Sequence, residues 1–299
     1  MKNSLILLLA IILMTGCYDD FRVDNTFTGV AFSSADGGSN VAGVLHRTVV
    51  KDEGLKLDMG INLTGVLDNQ KERWAQFEID PAILNEDAFS GLGYELMPSD
   101  YYTLSNTNRF VIPAGSYLGK VTITLDSARF ISDPKAVNHI YAIPFRLTDT
   151  SEDSINANLS TKILVIKYIN HYEGSYDQEG TIISYDASGA VIDSVEVSNV
   201  IAMTTVREDT VVTDGMLNST GAAYQMLIHV NPDKSVLTEN TPSSANNAIT
   251  QNGTCSFDKT NSVFTLNYKV TTGSGSYKIA SMQLTWRNRI RDGINEWRR

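Results

Sequence analysis

Carboxylates are the side chains of this 299-residue chain that could most readily do acid–base chemistry. They gather in two short stretches: Asp149, Glu152 and Asp153, and then Glu208, Asp209 and Asp214. A glycoside hydrolase needs two carboxylates about 5–10 Å apart, and oxygen ligands in a flexible loop also suit Ca²⁺. The spacing matches no recognised calcium motif, and nothing in it places either cluster across a sugar. Solvated loop acids are therefore the preferred interpretation.

Other catalytic signatures are missing from the sequence. The four histidines, at 46, 139, 171 and 229, have no His-x-His or His-Glu-x-x-His spacing, which argues against a metal site. There is no Gly-x-Ser-x-Gly elbow and no glycine-rich phosphate loop. The sequence predicts a non-catalytic protein without a cofactor.

Aromatic side chains suggest a different chemistry, because the apolar face of a sugar ring stacks on a flat aromatic ring. We expect Trp74, Tyr101, Tyr102 and Trp297 to be the glycan-binding candidates. Trp74 follows a polar stretch, and in a strand one of two adjacent tyrosines must face outward. Core packing is the alternative for each ring, and it is preferred for Trp286, which lies in an alternating segment.

The N-terminus carries a secretory signal pattern. Lys2 precedes an apolar run over residues 5–13, which is far shorter than the ~20 residues that span a bilayer. The Leu-Met-Thr-Gly-Cys sequence at 13–17 resembles a bacterial lipobox, which implies a signal peptide over 1–16 and a lipidated Cys17. An ordinary signal peptide with an incidental cysteine is the alternative.

Residues 17–25 are polar and acidic, and they are expected to form a tether to the lipid. Acidic residues directly after the cysteine resemble the surface-export signal of Bacteroidetes lipoproteins; a merely solvated linker is the alternative. This resemblance implies an outer-membrane, lipid-anchored protein that faces outward.

Charge and cysteine content restrict the possible partners. The net charge of −10 argues against nucleic acid and against electrostatic docking on anionic lipid. Of the two cysteines, Cys255 has no partner if Cys17 is acylated, so core burial rather than a disulfide must hold the fold together.

Alternating apolar residues predict an all-β protein with two domains. Residues 55–63, 121–125 and 141–147 alternate with period two, and residues 162–169 form a continuous apolar run typical of a strand buried on both faces. Pro144 favours an edge strand or a bulge, and residues 238–254 are expected to form a polar surface loop. We expect an immunoglobulin-like β-sandwich over 26–169 and a β-barrel or sandwich over 170–299.

Two regions resemble known domains. The Phe-Val-Ile-Pro-Ala-Gly-Ser turn at 110–116, followed by the 121–125 strand and Ile-Pro-Phe at 143–145, resembles the β-sandwich called domain of unknown function 1735 in Bacteroidetes surface lipoproteins. The His-Tyr-Glu-Gly-Ser-Tyr opening at 171–176 and the Trp-containing end at 284–298 resemble its companion C-terminal domain, which is similar to lipocalin-like barrels.

The resemblance implies a function but no catalytic residues. Proteins of this architecture are commonly encoded in starch-utilisation-type glycan uptake loci, beside an outer-membrane transporter and its lipoprotein lid. It implies an accessory that binds oligosaccharide or polysaccharide, or that supports the transporter–lid complex. An adhesive or structural lipoprotein that binds protein is the alternative, and a β-sandwich hydrolase is the third.

Overall fold

The computed structural model describes residues 27–271 and 274–297. The predicted signal peptide, the tether and Cys17 lie outside the described residues. No helix in the described part of the chain is long and apolar enough to cross a membrane.

The first domain is a sandwich of two sheets. Its strands are β1 (Gly29–Phe32), β2 (Val44–Val50), β3 (Lys56–Thr64), β4 (Arg73–Ile79), β5 (Glu95–Leu96), β6 (Tyr102–Leu104), β7 (Arg109–Ile112), β8 (Leu118–Leu125), β9 (Tyr141–Thr150), β10 (Ser154–Ile155) and β11 (Thr161–Ile169). One sheet has the order β10-β1-β3-β8-β6, and the other has the order β2-β11-β9-β4-β7 with β5 beside β9. Helix α1 (Ser127–Ser132) and the 3-10 helices Pro81–Asn85, Pro134–Val137 and Ala157–Leu159 connect them.

Alternating burial builds the core between these sheets. In β3, Leu57, Met59, Ile61 and Leu63 are buried, while the residues between them face outward. At the centre, the rings of Phe77 and Phe110 lie 4.7 Å apart.

Strand β11 is buried on both faces, as its continuous apolar run indicates. Leu164, Ile166 and Tyr168 pack into the core between the sheets, while Ile163 and Val165 pack into a second cluster on the outer face.

The second domain is one long curled sheet. Its strands are β12 (Gly174–Tyr185), β13 (Val191–Arg207), β14 (Thr210–Thr213), β15 (Gly215–Met216), β16 (Ser219–Thr220), β17 (Met226–Val230), β18 (Val236–Asn240), β19 (Ala248–Gln251), β20 (Ser256–Asp258), β21 (Val263–Thr271), β22 (Tyr277–Arg291) and β23 (Ile294–Trp297). The main order is β18-β17-β14-β13-β12-β22-β21-β19, with β20 on β21, β23 on β22, and β15 and β16 as a separate pair. The 3-10 helices Ala222–Tyr224 and Pro242–Ser244 complete the domain.

The two ends of this sheet meet, so the domain is barrel-like and nearly closed. Strands β18 and β19 are neighbours, and the Ile249 backbone N–H donates to Asn240 Oδ1 at 2.8 Å. Alternate residues of β21, including Phe264, Leu266 and Tyr268, point into the interior. The all-β fold with a sandwich and a barrel-like domain is thereby confirmed.

Two local expectations are wrong. Residues 238–254 are not a loop, since they contain the end of β18, a 3-10 helix and β19. Pro144 does not lie on an edge strand, because β9 is flanked by β11 and β4. Pro144 has no backbone N–H to donate to β4, but the β4–β9 ladder ends at the neighbouring pair Ile79–Phe145, so no regular ladder bond is lost. The Pro144 carbonyl still accepts a hydrogen bond from the N–H of Asp80, the residue that follows β4.

A buried asparagine connects the domains. Asn170, between β11 and β12, is fully buried, and its Nδ2 donates to the carbonyls of Arg207 and Thr210, each at 3.0 Å. Its Oδ1 accepts from the Tyr172 N–H, and its own N–H donates to Thr205 Oγ1. One side chain therefore holds the turn between β13 and β14 against the junction.

We predict that Asn170→Ala lowers the free energy of unfolding by about 1–3 kcal/mol, because it leaves buried carbonyls without donors. Asn170→Asp should lower it at least as much at pH 7, although its shape is the same, since a carboxylate cannot donate to two carbonyls. Urea unfolding monitored by tryptophan fluorescence measures both. An Asp variant as stable as the wild type would contradict the assigned hydrogen bonds.

Candidate functional site

The four aromatic candidates lie in different environments. Trp74, on β4, is half-buried beneath the Arg109 guanidinium, which lies 4.5 Å from the ring centre. Trp297, on β23, is 58% exposed and has the Arg287 guanidinium 6.0 Å from its ring. Trp286 is partly buried and packs against the core of the second domain, as expected from its alternating segment.

The adjacent tyrosines are both half-buried and both contact the first core. The expectation that one of the two rings faces outward is wrong, because strand alternation does not apply to this pair: Tyr101 precedes β6 and only Tyr102 belongs to the strand. The Tyr101 hydroxyl donates to Asp133 at 3.0 Å, and its ring packs edge-on against Phe130. Trp297 is therefore the most exposed of the four candidate rings.

The acidic clusters are occupied by structural contacts. Glu152 forms an ion pair with Arg73, and its carboxylate side chain has no exposed surface. Asp153 accepts from the Thr28 N–H at 2.7 Å. In the second cluster, Glu208 pairs with Lys51, and Asp214 accepts from the Ala202 N–H at 2.9 Å. Across residues 27–271 and 274–297, no group of three or more His, Cys, Asp or Glu side chains could hold a metal ion.

An open groove lies where the domains meet. The turn between β2 and β3, residues 51–54, projects from the sandwich toward the β22–β23 hairpin of the second domain. Between them is an open groove of about 590 Å³, whose lining includes Arg47, Glu53, Asp58, Arg291 and Glu296. These side chains include both hydrogen-bond donors and acceptors, which can bind a polar ligand, and we call this the junction groove.

Four charged side chains hold the junction groove in shape. Glu53 accepts from Arg289 at 2.8 Å and from Arg291 at 3.0 Å, and both arginines also pair with Glu296. Burial acts to raise the pKa of Glu53, but hydrogen bonds and charge from Arg289 and Arg291 outweigh it and lower that pKa below its usual value. The network joins the turn of one domain to the hairpin of the other.

A smaller aromatic cavity lies behind this network. It has a volume of about 150 Å³ and is lined by Tyr176, Phe257 and Trp286 together with His171. The indole N–H of Trp286 donates to the Glu173 carbonyl at 3.4 Å, which fixes the orientation of the ring.

Two histidines that are far apart in the sequence stack at the junction. The rings of His46 and His139 lie 4.1 Å apart and nearly parallel, and His46 Nε2 lies 3.1 Å from the Tyr94 hydroxyl. Within the described residues, His139 Nε2 and Asp292 Oδ1 are buried without a hydrogen-bond partner. Burial, with help from the charges of His46 and Lys167, lowers the pKa of His139 to about 3. Sequence spacing could not reveal this pair, because it depends on tertiary packing.

Comparison with known proteins supports the fold. Residues 24–154 match a family model for an N-terminal domain, and residues 160–286 match a family model for a C-terminal domain. Among curated proteins, none matches the chain.

Solved structures with the same two-domain fold come from Bacteroides ovatus. A protein of unknown function is 18% identical, covers 87% of this chain and 95% of its own, and has a TM-score of 0.68. A second protein of unknown function is 16% identical, with coverage of 91% and 100% and a TM-score of 0.50. A multidomain protein including domain of unknown function 1735 is 15% identical, with the same coverage and TM-score.

The half-buried, stacked histidine pair predicts a pH dependence of stability. The folded-state pKa of His139 lies below its unfolded value of about 6.5, so its contribution to stability is present above pH 6.5 and is lost as the pH falls toward 3. His139→Gln should lose less stability than the wild type between pH 7 and pH 5. Urea midpoints at the two pH values measure the difference, and equal losses would show that His139 titrates normally.

Proposed function

We propose that this chain, which belongs to the family defined by the N-terminal and C-terminal domain models matching residues 24–154 and 160–286, is a non-catalytic glycan-binding protein of the cell surface. The junction groove carries this proposal. It offers about 590 Å³ lined by hydrogen-bonding side chains, which suits the hydroxyl groups of a sugar chain.

The β22–β23 hairpin gives this groove an aromatic neighbour. Glu296 lines the groove, and the next residue in strand β23, Trp297, points to the opposite face. Strand β23 pairs with β22 alone in the described sheet, so the hairpin has an open edge. A glycan of several units that crosses this edge contacts the polar groove and stacks on Trp297.

The glutamates of the groove form ion pairs and are therefore not available for the acid–base chemistry of a hydrolase. Glu53 and Glu296 lie in the groove, but both are paired with Arg289 and Arg291. A general acid needs a raised pKa, whereas the pKa of Glu53 is lowered. Binding without cleavage is the function that this chemistry supports best.

Attachment to the outer membrane, facing outward, is part of the proposal. The lipobox-like sequence at 13–17 and the acidic residues after Cys17 support a lipid anchor. Such an anchor would place the groove beside an outer-membrane transporter and its lid lipoprotein, and the presence of many copies would increase avidity for a polysaccharide.

A protein-binding role is the second candidate, and the open edge of β13 favours it. Residues 191–200 pair with β12, while β14 covers only the later part of the strand. Val191, Ile192, Val195 and Val200 are exposed along this edge. An open, partly apolar strand edge can add a strand from a partner protein.

We predict that Trp297→Ala weakens glycan binding about tenfold, which corresponds to about 1.4 kcal/mol, and leaves the melting temperature unchanged because the ring is exposed. Affinity electrophoresis against a panel of polysaccharides measures the binding.

Trp74→Ala is the matched control, since this ring is half-buried and lies outside the lining of the junction groove. It should lower stability and leave binding per folded molecule unchanged. If no polysaccharide retards the wild-type chain, the protein-binding role becomes the better explanation.

We predict that Cys17→Ala abolishes labelling by a palmitate analogue and releases the chain from the membrane fraction, because one acylated cysteine supplies the anchor. Cys255→Ala is the control, since this buried thiol should not be labelled. Labelling and membrane association that persist in Cys17→Ala would refute the lipid anchor.

A further inference from the structure

A further cavity opens in the sandwich domain, and its lining includes no residue of the β22–β23 hairpin. The ladder between β1 and β3 ends at the pair Phe32–Ile61, and the chain then crosses toward the other sheet. The space left beside β3 has a volume of about 300 Å³. Its apolar lining includes Ala35, Leu45 and Met59.

A buried lysine lines this cavity. Lys162 begins the inward-facing row of β11 that continues with Leu164 and Ile166, and only 4% of its surface is exposed. Its strand partner across the ladder is Phe145, a residue of the first core. Within the described residues, its ammonium group has no hydrogen bond and no carboxylate within 4 Å. Most of the Lys162 side chain is buried, but its ammonium group reaches the cavity, where no counter-ion from the described residues balances its charge.

A second cation lines the same cavity. The Arg47 guanidinium donates to the His46 carbonyl at 3.2 Å and, within the described residues, forms no ion pair. Lys120 also lines the cavity, but it is neutralised by Asp58 at 2.7 Å. The excess positive charge therefore comes from Lys162 and Arg47.

The acid that acts on Lys162 is too distant to neutralise it. Burial lowers the pKa of Lys162; the negative charge of Asp36 opposes this effect, and the positive charge of Arg47 adds to it. Asp36 is itself held by the Gly38 N–H, which donates to its Oδ1 at 2.9 Å. A bound anion would supply the charge that Asp36 does not.

We propose that this cavity binds a sugar unit that carries an oxyanion, with Lys162 and Arg47 holding the anionic group. The volume lies at the lower end of the range for small-molecule sites and suits a single unit. A guanidinium and an ammonium group give charge-assisted hydrogen bonds to a carboxylate or a sulfate ester. Asn62 on the lining is placed for the ring hydroxyls, and Leu45 and Met59 offer an apolar surface.

The site is separate from the junction groove proposed for glycan binding, although Arg47 and Asp58 line both cavities. Lys162 belongs to this cavity and Trp297 to the hairpin, so the two residues test the two proposals independently.

Isothermal titration of the purified chain with glucuronate, glucose 6-sulfate and glucose tests the proposal. At least one of the two anionic sugars should bind ten times more tightly than glucose, and the preferred one identifies the oxyanion as carboxylate or sulfate. Binding should weaken with added salt, because it depends on charge. Equal affinity for all three sugars, or no binding of either anionic sugar, would overturn the proposal.

Lys162→Met removes the charge at similar length and should reduce binding of the anionic sugar at least tenfold. The variant should unfold at a temperature no lower than that of the wild type, because it replaces a largely buried side chain, whose charge has no counter-ion, with an apolar one. Lys71→Met, at an exposed lysine, is the control and should bind as the wild type does. A Lys162→Met variant that binds normally would refute the role of Lys162.

Ala35→Phe fills the cavity from its exposed rim and keeps both cations. It should also lose binding, which separates occupation of the cavity from general attraction to positive charge. Unchanged binding in this variant would place the ligand elsewhere and overturn the proposal. Trp297→Ala should retain anionic-sugar binding, so failure of the junction-groove proposal would not be mistaken for failure of this one.

Discussion

The buried amide of Asn170 fixes the end of the sandwich's last strand to the second domain, and the contacts across the junction build on this attachment. It follows the last strand of the sandwich directly, and its hydrogen bonds reach the backbone of β13, β14 and the start of the second domain. Asn170 has no exposed surface, so water does not compete for these bonds. A short connection with a fully satisfied side chain restricts the domain orientation far more than a flexible linker would.

This restraint explains why the junction can hold a shaped groove. The β2–β3 turn belongs to one domain and the β22–β23 hairpin to the other, yet Glu53 lies within hydrogen-bonding distance of Arg289 and Arg291. The Arg289 side chain is 10% exposed, which makes its ion pairs less sensitive to salt than surface pairs. A groove whose walls are fixed before binding loses less entropy when a ligand is bound.

The strands could be predicted where burial follows local alternation, as in β3 and β21, because one face of each strand meets an apolar core. Residues 238–254 could not, since three of the four buried side chains there are polar (Thr238, Thr241 and Ser244) and only Ile249 is apolar. These residues are organised by Asn240, whose Nδ2 donates to the carbonyls of Ser244 and Asn247. Hydrophobic patterning carries no signal for a segment held together in this way.

Side-chain environments were harder to predict than strands, because they depend on partners that are distant in sequence. Trp74 follows a polar stretch, yet Arg109 on the neighbouring strand covers its ring. In the sequence, Lys162 is the polar residue at the start of an apolar run, which does not predict burial. It is buried because β2 and the segment that follows β1 lie beside it in the fold.

The net charge of −10 and the positive cavity of the sandwich domain are compatible, because they act over different distances. Screening at physiological ionic strength reduces the influence of exposed charges beyond about 8 Å. A nucleic acid contacts a wide area of the surface, and the net negative charge of that surface disfavours its binding. A single anionic group in a cavity responds mainly to the groups beside it, here Lys162 and the half-buried Arg47, whose attraction is strengthened by partial exclusion of water. An acidic surface thus discourages polyanions while leaving a small, recessed site selective for one negative charge.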